Sequence, residues 1–313
     1  MFKSAPASKI VIPGGTGHLG TLLAEHFRGA GREVVIVSRR SGVPWSELPN
    51  VVDGADVVIN LAGRSVDCRY DAQHKREIIH SRIETTHAVG EAIARAANPP
   101  HVWLQASTAT IYAHRFDAAN DETSGVIGGD EGDVPPAWHF SIEVARAWEA
   151  ALDEAKTPRT RKVKMRSAIV MSAGYGGAFD IYRRLARLGV GGSHAGGRQF
   201  VSWIHQRDFV RAVEWLIDQR FTDGVVNLAS PNPLPNTEFL RAIRDACGVP
   251  FGVPAPKWIL EIGAFLHRTE PELLLKSRRV VPARLIETGF RFDFPAWPEA
   301  ARDLCARFER KRR

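Results

Sequence analysis

The chain has 313 residues, 44% of them hydrophobic and 25% charged, with a formal net charge of +7, the composition of an ordinary globular protein of one large domain with a smaller lobe, or of two domains. No apolar run approaches the roughly 20 residues that span a bilayer, so no membrane segment is expected. Three cysteines, Cys68, Cys247 and Cys305, form an odd set without paired spacing, which argues against a disulfide framework or a zinc cluster, leaves no metal site expected, and points to a reducing cytoplasm.

The first dozen residues lead straight into a strand without a cleavable secretory pattern. Residues 9–12 read as that strand, and residues 17–29 as a helix with Leu19, Leu22, Leu23 and Phe27 on one face. Strands follow at 33–38 and 56–61, then helical text from about 71 to 97, closed by Asn98-Pro99-Pro100. Residues 101–106 are the next strand, 142–155 a helix, and 162–171 a strand again. Apolar β-branched runs alternating with helical periodicity predict βαβ units and a doubly wound parallel sheet, the α/β class. After Ser172 the texture changes: eight glycines fall between positions 174 and 197, a helix is expected over 179–188, and prolines crowd residues 231–256. The expected division is a dinucleotide-binding domain over 1–172, its sheet completed by about 200–230, and a smaller substrate-side lobe from 173–200 and 231–313, with a soft boundary.

Between the first strand and helix lies Gly14-Gly15-Thr16-Gly17-His18-Leu19-Gly20. Glycine allows the tight turn and lets backbone N–H groups approach a pyrophosphate at the positive end of the helix. In strand–turn–helix context this spacing predicts a dinucleotide site formed by Gly14, Thr16, Gly17, His18, Leu19 and Gly20. The second strand ends Val37-Ser38-Arg39-Arg40, with no Asp or Glu between Val34 and Val43. A carboxylate there favours NAD, whereas a guanidinium grips a 2′-phosphate; Ser38, Arg39 and Arg40 therefore predict NADP(H). At the end of the third strand, Asn60-Leu61-Ala62-Gly63 places small residues where the sheet edge would border the nicotinamide ribose.

With these motifs go Ser81-Arg82, Thr85-Thr86, Ser107-Thr108-Ala109-Thr110-Ile111-Tyr112, residues 197–205 with Asp208, residues 274–282, and Gly289-Phe290-Arg291-Phe292. Together they resemble the extended short-chain dehydrogenase/reductase superfamily. More narrowly the chain is similar to its atypical "epimerase family", whose members carry a C-terminal domain of unknown function. The resemblance runs over nearly the whole chain and implies a Rossmann-type fold, NADP(H) as cofactor, and oxidoreductase or epimerase-like chemistry on an unsettled substrate such as a carbonyl compound or nucleotide sugar.

Active members of that superfamily use Tyr-x-x-x-Lys on a helix, the ammonium lowering the proton affinity of the tyrosine. Four residues after Tyr70, Tyr112, Tyr175 and Tyr182 stand His74, Phe116, Phe179 and Ala186, and the positions of the pair fall on Phe140 and Val144. Thr108 stands where relatives carry a Ser or Thr that bonds the substrate oxygen; it reads equally as a strand residue bonded to backbone. Tyr112 reads either as a cleft hydroxyl or as core packing. Ser141, Glu143, His139, Tyr112 and His205 are the substitutes for proton transfer near the expected cleft. Arg82 holds an anionic substrate group or forms a surface ion pair, and Asp208 caps or braces. Arg166, Gln199, Trp203 and His205 complete the expected substrate pocket. Two readings stay open: an NADP(H)-dependent enzyme with a replaced acid–base group, or a catalytically silent NADP(H)-sensing protein. The basic cluster at 307–313 reads as a solvated tail, not a nucleic-acid face, and a homo-oligomer is possible without any sequence mark for it.

Overall fold

In the computed structural model the described residues are 9–132, 134–219, 222–258 and 272–310. Residues 1–8, the 259–271 part of the expected lobe, and 311–313 of the basic tail lie outside them.

Six parallel strands form the central sheet: β1 (Lys9–Pro13), β2 (Glu33–Val37), β3 (Val57–Asn60), β4 (Val102–Thr108), β5 (Arg161–Ser167) and, far along the chain, β9 (Gly224–Leu228), in the spatial order β2-β1-β3-β4-β5-β9. Both faces are covered, so the strands read as continuous apolar runs rather than alternating ones. The period of two sorts them: Ile10, Ile12, Val57, Ile59, Val102 and Leu104 face one core with Leu23 and Phe27 of α1 (His18–Gly29) and Phe209 and Val213 of α6 (Gln206–Asp218). Val11, Val58 and Trp103 face the other, against Val89 and Ile93 of α3 (Ala72–Arg95) and Leu152 of α4 (Pro136–Glu154). Asp71 starts α3 by accepting the His74 N–H at 2.8 Å, a side-chain cap that satisfies one orphan donor of the first turn.

The segment expected as one strand over 162–171 divides at Ala168. Its amide donates to Leu228 O at 3.0 Å, after which β6 (Ile169–Met171) pairs in parallel with β8 (Trp203–His205), away from the main sheet. This step carries the chain into a second apolar cluster. There α5 (Ala178–Arg187), α7 (Asn236–Ala246) and the helix Trp297–Arg310 pack through Phe179, Tyr182, Phe239, Ile243, Leu304 and Phe308. Leu285 and Phe290 return to the main core, so the two lobes share one C-terminal segment. Arg307 and Arg310 of the basic cluster belong to the last helix. No helix among the described residues is long and apolar enough to cross a membrane.

Candidate functional site

The strand order reverses at β1, which has β2 on one side and β3 on the other. In open parallel sheets such a switch point leaves a crevice outside the carboxyl ends of the strands, where ligands bind. The glycine turn lies there. Gly14 has φ +75°, and a Cβ on it would stand 2.5 Å from Ala62 Cα; on Gly20 it would stand 2.4 Å from Gly15 Cα. Those two glycines let the turn press against the Leu61–Gly63 segment and let α1 press against the turn. Gly17 differs: its Cβ would meet only Gly14 O, at 3.8 Å. It opens α1 without a side-chain cap and with no acidic residue in the first turn, and the positive end of a helix so left suits an anion. Thr16 is exposed beside it, and Leu19 is packed against the main core.

Ser38 organises the end of β2. Its hydroxyl oxygen accepts the Arg40 N–H at 3.0 Å and the Ser41 N–H at 3.2 Å, a tight turn that leaves Arg39 and Arg40 exposed. On the other side of the crevice, buried Asn60 donates to Gln105 Oε1 at 3.0 Å and accepts the Ala62 N–H at 3.1 Å, fixing the Leu61-Ala62-Gly63 bend. His18 bridges to the far lip, its Nε2 lying 2.5 Å from Ser172 Oγ.

Arg82 lies under Gly63, whose Cβ would stand 3.3 Å from the guanidinium carbon. The side chain is buried, donates to the carbonyls of Arg64 at 3.1 Å and Ile78 at 3.0 Å, and lies over the Trp148 ring at 4.8 Å. No carboxylate pairs with it among the described residues, and burial lowers it to about 10. It is not the surface ion pair of the alternative reading.

At the end of β4, Thr108 caps the one-turn helix Ala109–Ile111 by accepting the Thr110 N–H at 3.1 Å. Tyr112 follows that turn; it is 2% exposed, and its hydroxyl donates to Asn227 Oδ1 at 3.0 Å. Burial raises its pKa. Arg166 lies over the Tyr112 ring at 5.0 Å and forms a two-pronged ion pair with Glu149, both contacts 2.8 Å. Its donors are thus committed within the fold.

The structure does not gather all the expected pocket residues. Gln199 bonds the carbonyls of His194 at 3.0 Å and Leu274 at 3.1 Å and lines a narrow cavity with Lys276 and Arg278. Trp203 is fully buried against Trp297, with ring centroids 4.8 Å apart. His205 is fully buried, caps α6 by accepting the Arg207 N–H at 3.2 Å, and lies 3.1 Å from Asp303; burial lowers it to about 4. Asp208 braces the chain by accepting the amides of Asp293 at 2.7 Å and Phe294 at 2.9 Å. These three side chains face the smaller lobe's core or its supports, because β8 and the start of α6 are sandwiched there. Of the other proton-transfer substitutes, His139 and Glu143 are exposed on α4.

Phe140 and Val144 pack with Ile78 beside α3, with the Tyr70 ring 4.9 Å from Phe140. Next to them the structure joins a group that no motif announces. Ser141 Oγ donates to Glu272 Oε2 at 2.5 Å, Lys276 Nζ lies 3.7 Å from Glu272 Oε1, and the same ammonium donates to Thr110 O at 2.9 Å. Burial raises Glu272. Burial, reinforced by Arg278 against the pull of Glu272, brings Lys276 down to about 8. Glu272 and Lys276 are an i, i+4 pair, but the contacts to Ser141 and Thr110 span 131 and 166 residues and leave no local pattern to read. A concavity of about 1000 Å³ between His101, Lys156, Arg159 and Asp223 opens at the amino ends of the strands, opposite the switch point. Among the described residues no group of three His, Cys, Asp or Glu side chains is placed to hold a metal ion.

A parallel sheet with its switch point at a glycine turn and a helix N-terminus is the architecture of a Rossmann-type dinucleotide-binding protein. Residues 10–229 match the NAD dependent epimerase/dehydratase family, and residues 255–304 a domain of unknown function (DUF1731). The chain belongs to the NAD dependent epimerase/dehydratase family. It is 34% identical over 308 residues to the mouse (Mus musculus) epimerase family protein SDR39U1, covering 95% of this chain and 100% of that protein. It is 28% identical over 317 residues to the epimerase family protein YfhF of Bacillus subtilis, covering 95% and 98%. The crystal structure of the human SDR39U1 protein (isoform2) with NADPH superposes with a TM-score of 0.84 at 30% identity, over 95% of this chain and 99% of that one.

Proposed function

We propose that the protein binds NADP(H) at the switch point and works as an oxidoreductase or epimerase-like enzyme on a carbonyl substrate that carries an anionic group. The observation that carries the reading is the open face of Gly17 at the uncapped start of α1, with Arg39 and Arg40 exposed at the neighbouring strand end. Residues Gly14 to Gly20 would hold the pyrophosphate, Arg39 and Arg40 the 2′-phosphate, and Asn60 to Gly63 the ribose edge. The human SDR39U1 structure with NADPH supports the same cofactor here. When bound, a nicotinamide supplies hydride transfer.

The chain's own residues must hold the substrate and move a proton. Arg82, a buried cation without a carboxylate partner among the described residues, suits a phosphate or carboxylate of the substrate. Thr108 uses its oxygen to cap a turn and keeps its proton to donate. Behind Ser141, Glu272 is raised and Lys276 lowered toward neutrality. A pair tuned in that way can hold a proton at Lys276 Nζ near neutral pH and pass it to the Glu272 carboxyl, which returns a proton to Ser141 Oγ as that hydroxyl gives up its own. On this reading the proton comes from the C-terminal segment and acts through Ser141, one residue from the Phe140 position where the superfamily carries its tyrosine.

The experiment is NADPH oxidation against a panel of aldehydes, ketones and nucleotide sugars, with Thr108→Ala and Lys276→Met as variants. Turnover lost in both variants with NADPH binding kept supports the enzyme. Silence across the panel with tight NADPH binding supports the second reading, a nucleotide-sensing protein, which the apolar packing of Phe140 and Val144 favours.

A further inference from the structure

Away from the switch point, Cys247 and Cys305 meet in the smaller lobe. Cys247 caps the C-terminal end of α7 and is half-buried, while Cys305, 4% exposed, sits in the last helix. Their sulfurs lie 3.4 Å apart across 58 residues of sequence, and neither is in a disulfide. The two helices are packed together through Phe239, Ile243, Leu304 and Phe308, which holds the two cysteine backbones in place while the lobe stays folded. A disulfide needs them to close to about 2.05 Å, a displacement that side-chain rotation can deliver. Arg183 and Arg187 of α5 stand near the pair, and Arg187 is also 3.5 Å from Glu309. The Cys305 thiol, with the two guanidinium groups, holds Cys247 below its ordinary value, to about 7, while Cys305 is raised.

We propose that Cys247 and Cys305 form a thiol–disulfide exchange site that takes low-molecular-weight disulfides, with Cys247 as the attacking thiol and Cys305 as the resolving one. The Cys247 thiolate attacks one sulfur of the external disulfide, forming a mixed disulfide and expelling one thiolate. Cys305 then loses its proton and attacks Cys247 Sγ, forming the internal bond and expelling the second thiolate. Two protein thiols are oxidised by two electrons, and the external disulfide is reduced to two thiols. The product ties α7 to the last helix, and an external dithiol reverses it. Cys247 is the accessible member and has cations beside it, the setting in which thiols react; Cys305 is shielded and reachable only by its neighbour.

The test uses the full chain carrying Cys68→Ser, fully reduced, with dithiobis-nitrobenzoate as the probe. Adding one equivalent should release both halves of the reagent and leave a chain without adduct, with peptides containing Cys247 and Cys305 linked. Adding Cys305→Ser should stop the reaction after one half is released, with the adduct on Cys247; Cys305→Ala serves if the serine variant does not fold. A persistent adduct on Cys247 while Cys305 is intact overturns the proposal, as does a folded chain that reacts no faster at Cys247 than it unfolds. Glutathione disulfide on the unaltered chain should give the same linked peptides, and their absence counts against the site.

Discussion

The ion pair beneath the site offers the sharpest energetic test. Glu149 accepts from Arg166 Nε and Nη2, both at 2.8 Å, and from Ser107 Oγ at 2.6 Å. The two side chains are 8% and 10% exposed. Glu149→Ala strips the carboxylate and leaves a guanidinium in the interior with the Tyr112 ring beneath it. Removing one member of a buried pair costs about 3–5 kcal/mol, because the stranded charge keeps its desolvation penalty without its partner. Replacing both members by apolar residues of similar volume, Glu149→Leu with Arg166→Met, removes penalty and attraction together and should return stability to within about 1 kcal/mol of the parent. Urea unfolding followed by tryptophan emission measures all three chains. A Glu149→Ala cost below about 1 kcal/mol, or a double variant as damaged as the single one, would show that no stranded charge is left in the interior. The double variant should also bind NADPH as the parent does, since Arg166 is spent on Glu149 and not on ligand.

Gly14→Ala and Gly17→Ala should separate structure from function in one turn. At Gly14 the residue sits at φ +75° and its Cβ would strike the Ala62 backbone, so stability should fall by at least about 1–2 kcal/mol in denaturant melts. At Gly17 the Cβ meets open space, so the chain should melt within about 1 kcal/mol of the parent while NADPH affinity drops at least about tenfold. His194 is 2% exposed and burial lowers it to about 4, against an ordinary 6.5. Its contribution is therefore fully present above pH 6.5 and lost as pH falls from 6.5 toward 4, where the unfolded chain binds the extra proton. The loss is about 3 kcal/mol, and His194→Gln should lessen the slope of the stability–pH curve in that window, the remainder coming from His205, which burial lowers in the same way.

The parts of the fold legible in the sequence are those built from local rules. The Gly14–Gly20 spacing, the strand before it and the arginine pair after β2 all act within a few residues of one another, and strands buried on both faces print as apolar runs. What the sequence hid is tertiary. Nothing local marks Ala168 as the point where the chain changes sheets; the Leu228 carbonyl and the β8 edge decide that. Trp203 and His205 look like cleft residues in a motif, yet the helix Trp297–Arg310 covers them. Tyr112 ends up buried because the Ala109–Ile111 turn swings it under Asn227. The meeting of the Glu272–Lys276 pair with Ser141, and that of Cys247 with Cys305, each join distant segments, so no spacing rule could have found them.

Which nucleotide the switch-point crevice takes is decided by the arginine pair at the end of β2. Charge-assisted phosphate contacts are worth about 1.5–3 kcal/mol each, so titration calorimetry at low salt should show NADPH binding at least about tenfold tighter than NADH, with the difference erased in Arg39→Ala/Arg40→Ala. Equal affinities in the unaltered chain, or no heat with either nucleotide, would contradict it.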